Sequence, residues 1–128
     1  MNHAQVEAML TTLCGAFGLK CPKHRIYQSS TYARGRYYPK RKTISIGLSS
    51  KQSARGGWAT EDTVLHEFTH YLHHALEDFD CKYRDSHGPY FTGRLMEVAE
   101  FWYGEARKYP WHNEYVSVRK AYCKKTVL

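Results

Sequence analysis

Between Ala8 and Thr60 the chain contains neither aspartate nor glutamate. That stretch holds ten lysines and arginines, and the first sixty residues oppose them with one acid, Glu7. A charge-balanced surface is therefore excluded for this half, which repels itself unless something anionic lies near. The remainder carries nine basic and eleven acidic residues, so the net charge of +7 belongs to one end of the chain. Long apolar runs are also missing, which excludes a membrane-spanning helix of the usual length of roughly 18 residues or more. The N-terminal Met-Asn-His-Ala-Gln-Val-Glu lacks the basic flank and apolar core of a secretory signal. Cysteine is sparse: Cys14, Cys21, Cys81 and Cys123 make no CxxC pair, which argues against a disulfide scaffold. Reduced thiols in a cytoplasmic protein are expected.

What is present fits a folded chain. Of 128 residues, 42% are hydrophobic and 15% aromatic, enough for one modest core, so a single domain over 1–128 is expected. Tyr27, Tyr32, Tyr37 and Tyr38 interleave the basic residues, the composition expected where bases stack and phosphates are neutralised. Arg34, Arg36, Lys40, Arg41 and Lys42 are the candidate nucleic-acid contacts. The plainer reading of the same residues is a solubilising face.

Val6, Met9, Leu10, Leu13 and Phe17 predict a helix over 4–17 that stops at Gly18. In 43–48, Ile44, Ile46 and Leu48 alternate with small or polar residues, predicting a strand with one buried face. Pro39-Lys40-Arg41 reads as the turn to a partner strand at Arg34–Tyr38, and 49–59 as a loop. A second helix is predicted with Thr60 as N-cap, Glu61 and Asp62 in its first turn, and an apolar stripe of Leu65, Phe68, Leu72, Ala75, Leu76 and Phe79. Residues 80–88 read as a loop. Pro89 opens a third helix carrying Phe91, Leu95, Val98, Ala99, Trp102 and Ala106, ended by Tyr109-Pro110. The tail 111–128 reads as either a short helix or a strand.

The chemistry concentrates in His66-Glu67-Phe68-Thr69-His70. Residues four apart stack on one helix face, so two imidazoles can share one tetrahedral ion. Glu67 is rotated about 100° from His66 and reaches a water on that ion without ligating it. Zinc suits imidazole nitrogens with an open water position, and it lowers the pKa of that water to about 7, leaving Glu67 to take the proton as general base. At this His and Glu content the motif arises by accident about 0.03 times in such a chain. His73 and His74 offer another pairing, His70 with His74, but Tyr71 then stands where the base should be. They read as surface residues or as neighbours of the ligands.

Two histidines leave the ion's shell incomplete. The third ligand is His87, or a carboxylate on the next helix, Glu97 or Glu100. His87 directly precedes a helix start, a rigid place from which to aim an imidazole, and Gly88 permits close backbone approach. The position six residues after His70 is Leu76, so no third histidine follows at that spacing.

His66-Glu67-x-x-His70 followed by His87-Gly88-Pro89-x-Phe91 resembles the SprT-like (Spartan-type) zinc metallopeptidases, whose second motif reads His-Gly-x-x-Phe or close to it. Gly35-Arg36-Tyr37-Tyr38 and Ile44-Ser45-Ile46-Gly47-Leu48-Ser49 resemble the stretch ahead of the metal helix in that family. The likeness covers roughly residues 20–105 and is concentrated at the two motifs. It implies a small α+β zincin-like domain: an N-terminal helix, a short antiparallel or mixed sheet, and a metal-binding helix followed by a packing helix. It further implies one zinc ion (Zn2+) per chain on His66, His70 and His87, Glu67 as catalytic base, and hydrolysis of peptide bonds, in some members in proteins bound or crosslinked to DNA. Many relatives add a cysteine-paired zinc ribbon, whereas only Cys123 stands near this C-terminus.

The leading expectation is thus a zinc-dependent endopeptidase acting on protein or peptide, with a substrate strand adding to the exposed edge of 43–48. Tyr90, Tyr103 and His112 are candidates to stabilise the oxyanion. The alternative is a nucleic-acid-binding module with a structural zinc, for which Glu67 would have no use. Hydrolysis of a non-peptide amide is a third reading.

Overall fold

The structure, a computed structural model, describes residues 1–50, 60–77 and 89–104. His87, His112, Phe79, Ala106, the side chain of Tyr90, residues 51–59 of the predicted 49–59 loop, the predicted loop 80–88 and the tail 111–128 lie outside the described residues. In chain order the elements are α1 (His3–Ala16), β1 (Lys23–Gln28), β2 (Arg34–Tyr38), β3 (Thr43–Leu48), α2 (Thr60–Glu77) and α3 (Pro89–Tyr103). Among the described residues, three helices and a small mixed sheet make this an α+β fold. Two compact units divide the chain, Met1–Tyr71 and Leu72–Leu128.

In the first unit, α1 is closed at both ends by its own residues. Asn2 and Gln5 form a reciprocal capping box, each side chain bonding the other's backbone N–H at 2.8 Å. At the other end Leu19 N–H donates to the Cys14 carbonyl and Gly18 N–H to that of Gly15, a Schellman turn that needs the φ of +68° that Gly18 adopts. Alanine at Gly18 should destabilise the fold by about 1–2 kcal/mol, the cost of placing a Cβ in left-handed backbone. Urea unfolding of Gly18→Ala checks this.

The predicted hairpin forms: β2 pairs antiparallel with β3, Tyr38 opposite Thr43 and Arg34 opposite Gly47. The strand order is β1-β3-β2, with β1 parallel to β3. This corrects two expectations. β3 is the central strand, so neither of its edges is free to take a substrate strand. Nor does it have one buried face, since Ser45 and Gly47 are buried along with Ile44, Ile46 and Leu48. Alternation reports side-chain polarity, whereas a central strand is sheltered by neighbours on both sides. α1 and α2 meet the same sheet face. Glu7 of α1 bonds His24 at 2.9 Å, while Thr63 and Glu67 of α2 lie against Gly35. Val6, Met9, Leu10 and Leu13 of α1 are buried in this unit with Ile44, Ile46, Leu65 and Phe68. The Phe17 and Phe68 rings stand 5.8 Å apart.

Thr60 is the first residue of α2 rather than its cap, and its hydroxyl donates to the Ser49 carbonyl. The apolar stripe holds through Leu72, but Ala75 is exposed and Leu76 half-buried; alanine gains little by burial. In the second unit α3 starts at Pro89 as predicted but ends at Tyr103, short of Tyr109-Pro110. Gly104, at φ +79°, donates its N–H to the Glu100 carbonyl and turns the chain out of the helix. Phe91, Leu95, Val98 and Ala99 are buried as the stripe predicts, while Trp102 is half-buried. The sequence offers no hint that Arg94 is fully buried; it reaches the Glu97 carboxylate at 3.3 Å, one helical turn away.

Candidate metal centre

α2 carries the whole of the described site. His66 and His70 follow one another up one helix face, their rings 4.8 Å apart at 78° and their Nε2 atoms at 3.2 Å. Glu67 brings a carboxylate oxygen to the same place, and the three donor atoms lie within 4.8 Å of one another. A tetrahedral ion with Zn–N bonds of 2.0–2.1 Å separates two ligand nitrogens by about 3.3 Å. The imidazole pair is therefore spaced to hold such a cation without rearrangement. Binding one requires both Nε2 atoms to be unprotonated, which moves each ring's N–H to Nδ1.

Sequence patterning puts the histidines roughly opposite the apolar stripe, where a cleft could open, and the structure encloses the motif. His66 and Glu67 are 8% and 6% exposed, and His70 is half-buried. The enclosing element is β2. Thr63, Glu67 and Tyr71 follow one another at four-residue steps, about 6 Å along the helix, and alternate strand residues repeat at nearly the same distance. Gly35 accordingly meets Thr63 and Glu67, and the Tyr37 ring meets that of Tyr71 at 5.9 Å. Tyr71 donates its hydroxyl to the Lys20 carbonyl, tying α2 to the α1–β1 connection. Burial, and then the neighbouring Tyr71, push the Tyr37 phenol up to about 12. Burial also lifts the Glu67 carboxyl to about 7 in the metal-free protein, within the range of a general base.

Gly35 is the residue that sequence reasoning missed. A Cβ there would sit 2.5 Å from Glu67 Cγ and 2.8 Å from Thr63 Cγ2, closer than carbon atoms approach. Only glycine lets the strand press on the acid without moving it. Gly35→Ala is expected to displace the Glu67 side chain while leaving both histidines in place. Cation affinity should stay nearly unchanged by isothermal titration, while any hydrolysis that depends on Glu67 falls at least tenfold.

The other predicted residues distribute as follows. Arg34, Arg36, Lys40, Arg41 and Lys42 are all exposed, on β2 and the turn after it. Glu100 is exposed, and Glu97 is engaged by Arg94. His73 and His74 are half-buried, and the His73 ring stands 6.3 Å from that of Phe91. Tyr103 is half-buried.

The family model of the SprT-like family matches residues 6–112, which includes all three strands and both motifs. The chain belongs to the SprT-like family. No curated protein and no solved structure matches it. In this SprT-like chain the His-Glu-His group is the cluster of potential metal donors among the described residues. No described helix is long and apolar enough to cross a membrane.

Proposed function

We propose that this SprT-like chain is a zinc-dependent endopeptidase in which His66, His70 and His87 hold the ion and Glu67 is the general base. The observation that carries the reading is the 3.2 Å Nε2 pair with a buried carboxylate beside it on the same helix. A structural zinc site needs no buried acid next to its ligands. Zinc bound there supplies Lewis acidity toward the scissile carbonyl and acidity to a water. Glu67 takes a proton from the attacking water on a carboxylate oxygen and hands it to the leaving amide nitrogen. Its buried position keeps competing solvent from that oxygen. An extended substrate is best placed on β2, whose outer edge has no strand partner among the described residues and whose Gly35 touches Glu67.

Substrates associated with DNA fit the exposed Arg34, Arg36, Lys40, Arg41 and Lys42. A cytoplasmic location belongs to the same reading and is supported by the free thiols of Cys14 and Cys21. Burial and the nearby Cys21 hold the Cys14 thiol up at about 12, unreactive at neutral pH.

The test is incubation of the zinc-loaded protein with an unfolded protein, reading new termini by mass spectrometry. Cleavage should appear, stop with a chelator and return with zinc. His87→Ala should weaken zinc binding far more than Glu97→Ala or Glu100→Ala. A larger loss from Glu97→Ala would make a carboxylate the third ligand. Zinc binding and nucleic-acid binding with no cleavage of any protein would establish the structural-zinc module instead.

A further inference from the structure

The sheet face turned away from α1 and α2 has its own chemistry. Its three cross-strand rows follow from the register. At one end Lys23 and Tyr38 flank Thr43; in the middle Arg25 and Arg36 flank Ser45; at the other end Tyr27 and Arg34 flank Gly47. Each row thus has a small residue at the centre and a cation or an aromatic ring on either side. The result is a shallow trough about 10 Å across between the outer strands. Gly47 keeps its floor low, because the Tyr27 ring lies across it where a Cβ would come within 2.9 Å.

Lys23, Arg25, Arg34 and Arg36 are exposed on this face, and none is paired with a carboxylate among the described residues. The arginines lie instead over tyrosine rings: Arg25 is 4.8 Å from the Tyr27 centroid, Arg36 5.1 Å and Arg41 6.0 Å from that of Tyr38, and Arg34 5.9 Å from that of Tyr32. A guanidinium held over a ring keeps its charge and its in-plane donors. The pair presents a planar surface to a base and N–H groups to a phosphate.

We infer that this open sheet face is a binding platform for single-stranded nucleic acid. Repeated cations along a trough, with aromatic rings at two diagonal corners, match a polymer that alternates phosphates with exposed base faces. A duplex hides its base faces and would leave both tyrosines without a role. The inference extends the nucleic-acid part of the proposed function, and it stands apart from the peptidase part. It adds Lys23, Arg25, Tyr27 and Tyr38 to the contacts and moves their centre from the turn to the sheet.

The test uses the full chain carrying Glu67→Gln, so that hydrolysis plays no part in the readout. Binding of a fluorescein-labelled oligothymidylate of about 10 nucleotides, within the range of single-strand platforms, is followed by anisotropy at several salt concentrations. The expected result is binding at least tenfold tighter than to a duplex of equal length, with a salt slope of about −0.7 per phosphate contacted. Arg25→Glu and Arg36→Glu should each weaken it at least tenfold. Lys20→Glu, the same charge change on the α1–β1 connection, should weaken it no more than threefold. Tyr27→Leu with Tyr38→Leu should erase the preference for single strands, and circular dichroism confirms that each variant is folded. Equal affinity for duplex overturns the inference, as does equal loss from Lys20→Glu and Arg25→Glu, displacement of the oligonucleotide by polyglutamate at matched charge, or absence of binding. Each of these results leaves the peptidase reading intact, and loss of cleavage in the wild-type protein leaves the platform intact.

Discussion

Glu67→Gln is expected to lower peptide-bond hydrolysis by about 10²–10⁴-fold while the protein stays folded and keeps its zinc. Glutamine has the same shape as the acid and no charge, so the position beside His66 and His70 is filled without a new buried ion. What disappears is the oxygen that can accept a proton. The distinction from a structural role is sharp, because a residue that only supported the fold would lower thermal stability and zinc content together with activity. Initial cleavage rates on an unfolded protein, zinc content by mass spectrometry and a thermal melt read the three quantities separately. A variant that cleaves as fast as wild type would remove Glu67 from the chemistry.

His66→Ala and His70→Ala should each reduce zinc affinity by more than about a hundredfold, since even partners behind the ligands of metal sites are worth 10–100-fold. The two together should take the metal content from near one equivalent to none. The physical reason is the 3.2 Å spacing of the Nε2 atoms: either imidazole alone loses the partner that makes the pair a chelate. Stability provides a second readout. A ligand present at a hundred times its dissociation constant stabilises the folded state by about 2.7 kcal/mol, so added zinc should raise the melting temperature of the wild-type protein and not that of the double variant. Zinc retained by the double variant would place the ion elsewhere in the chain.

Much of this protein could be read from residue order alone, because the signals are local. A helix repeats every 3.6 residues, so His66, Glu67 and His70 are brought together by secondary structure without help from the rest of the chain. The α1 stop at Gly18 and the Pro39–Lys42 turn are legible for the same reason: their backbone requirements involve only neighbouring residues. What the sequence left open is contact between distant segments. That β3 lies between β1 and β2, not at an edge, is decided by pairing with β1 across 20 residues, and alternation of Ile44, Ile46 and Leu48 is the same at either position. The enclosure of Glu67 depends on Gly35 of β2, which sequence marks only as one residue of a likeness. The basic half reads from composition as charge without a place. Register alone sets Arg25 level with Arg36 across Ser45, because side chains on one sheet face are chosen by backbone pairing and not by nearness in the chain.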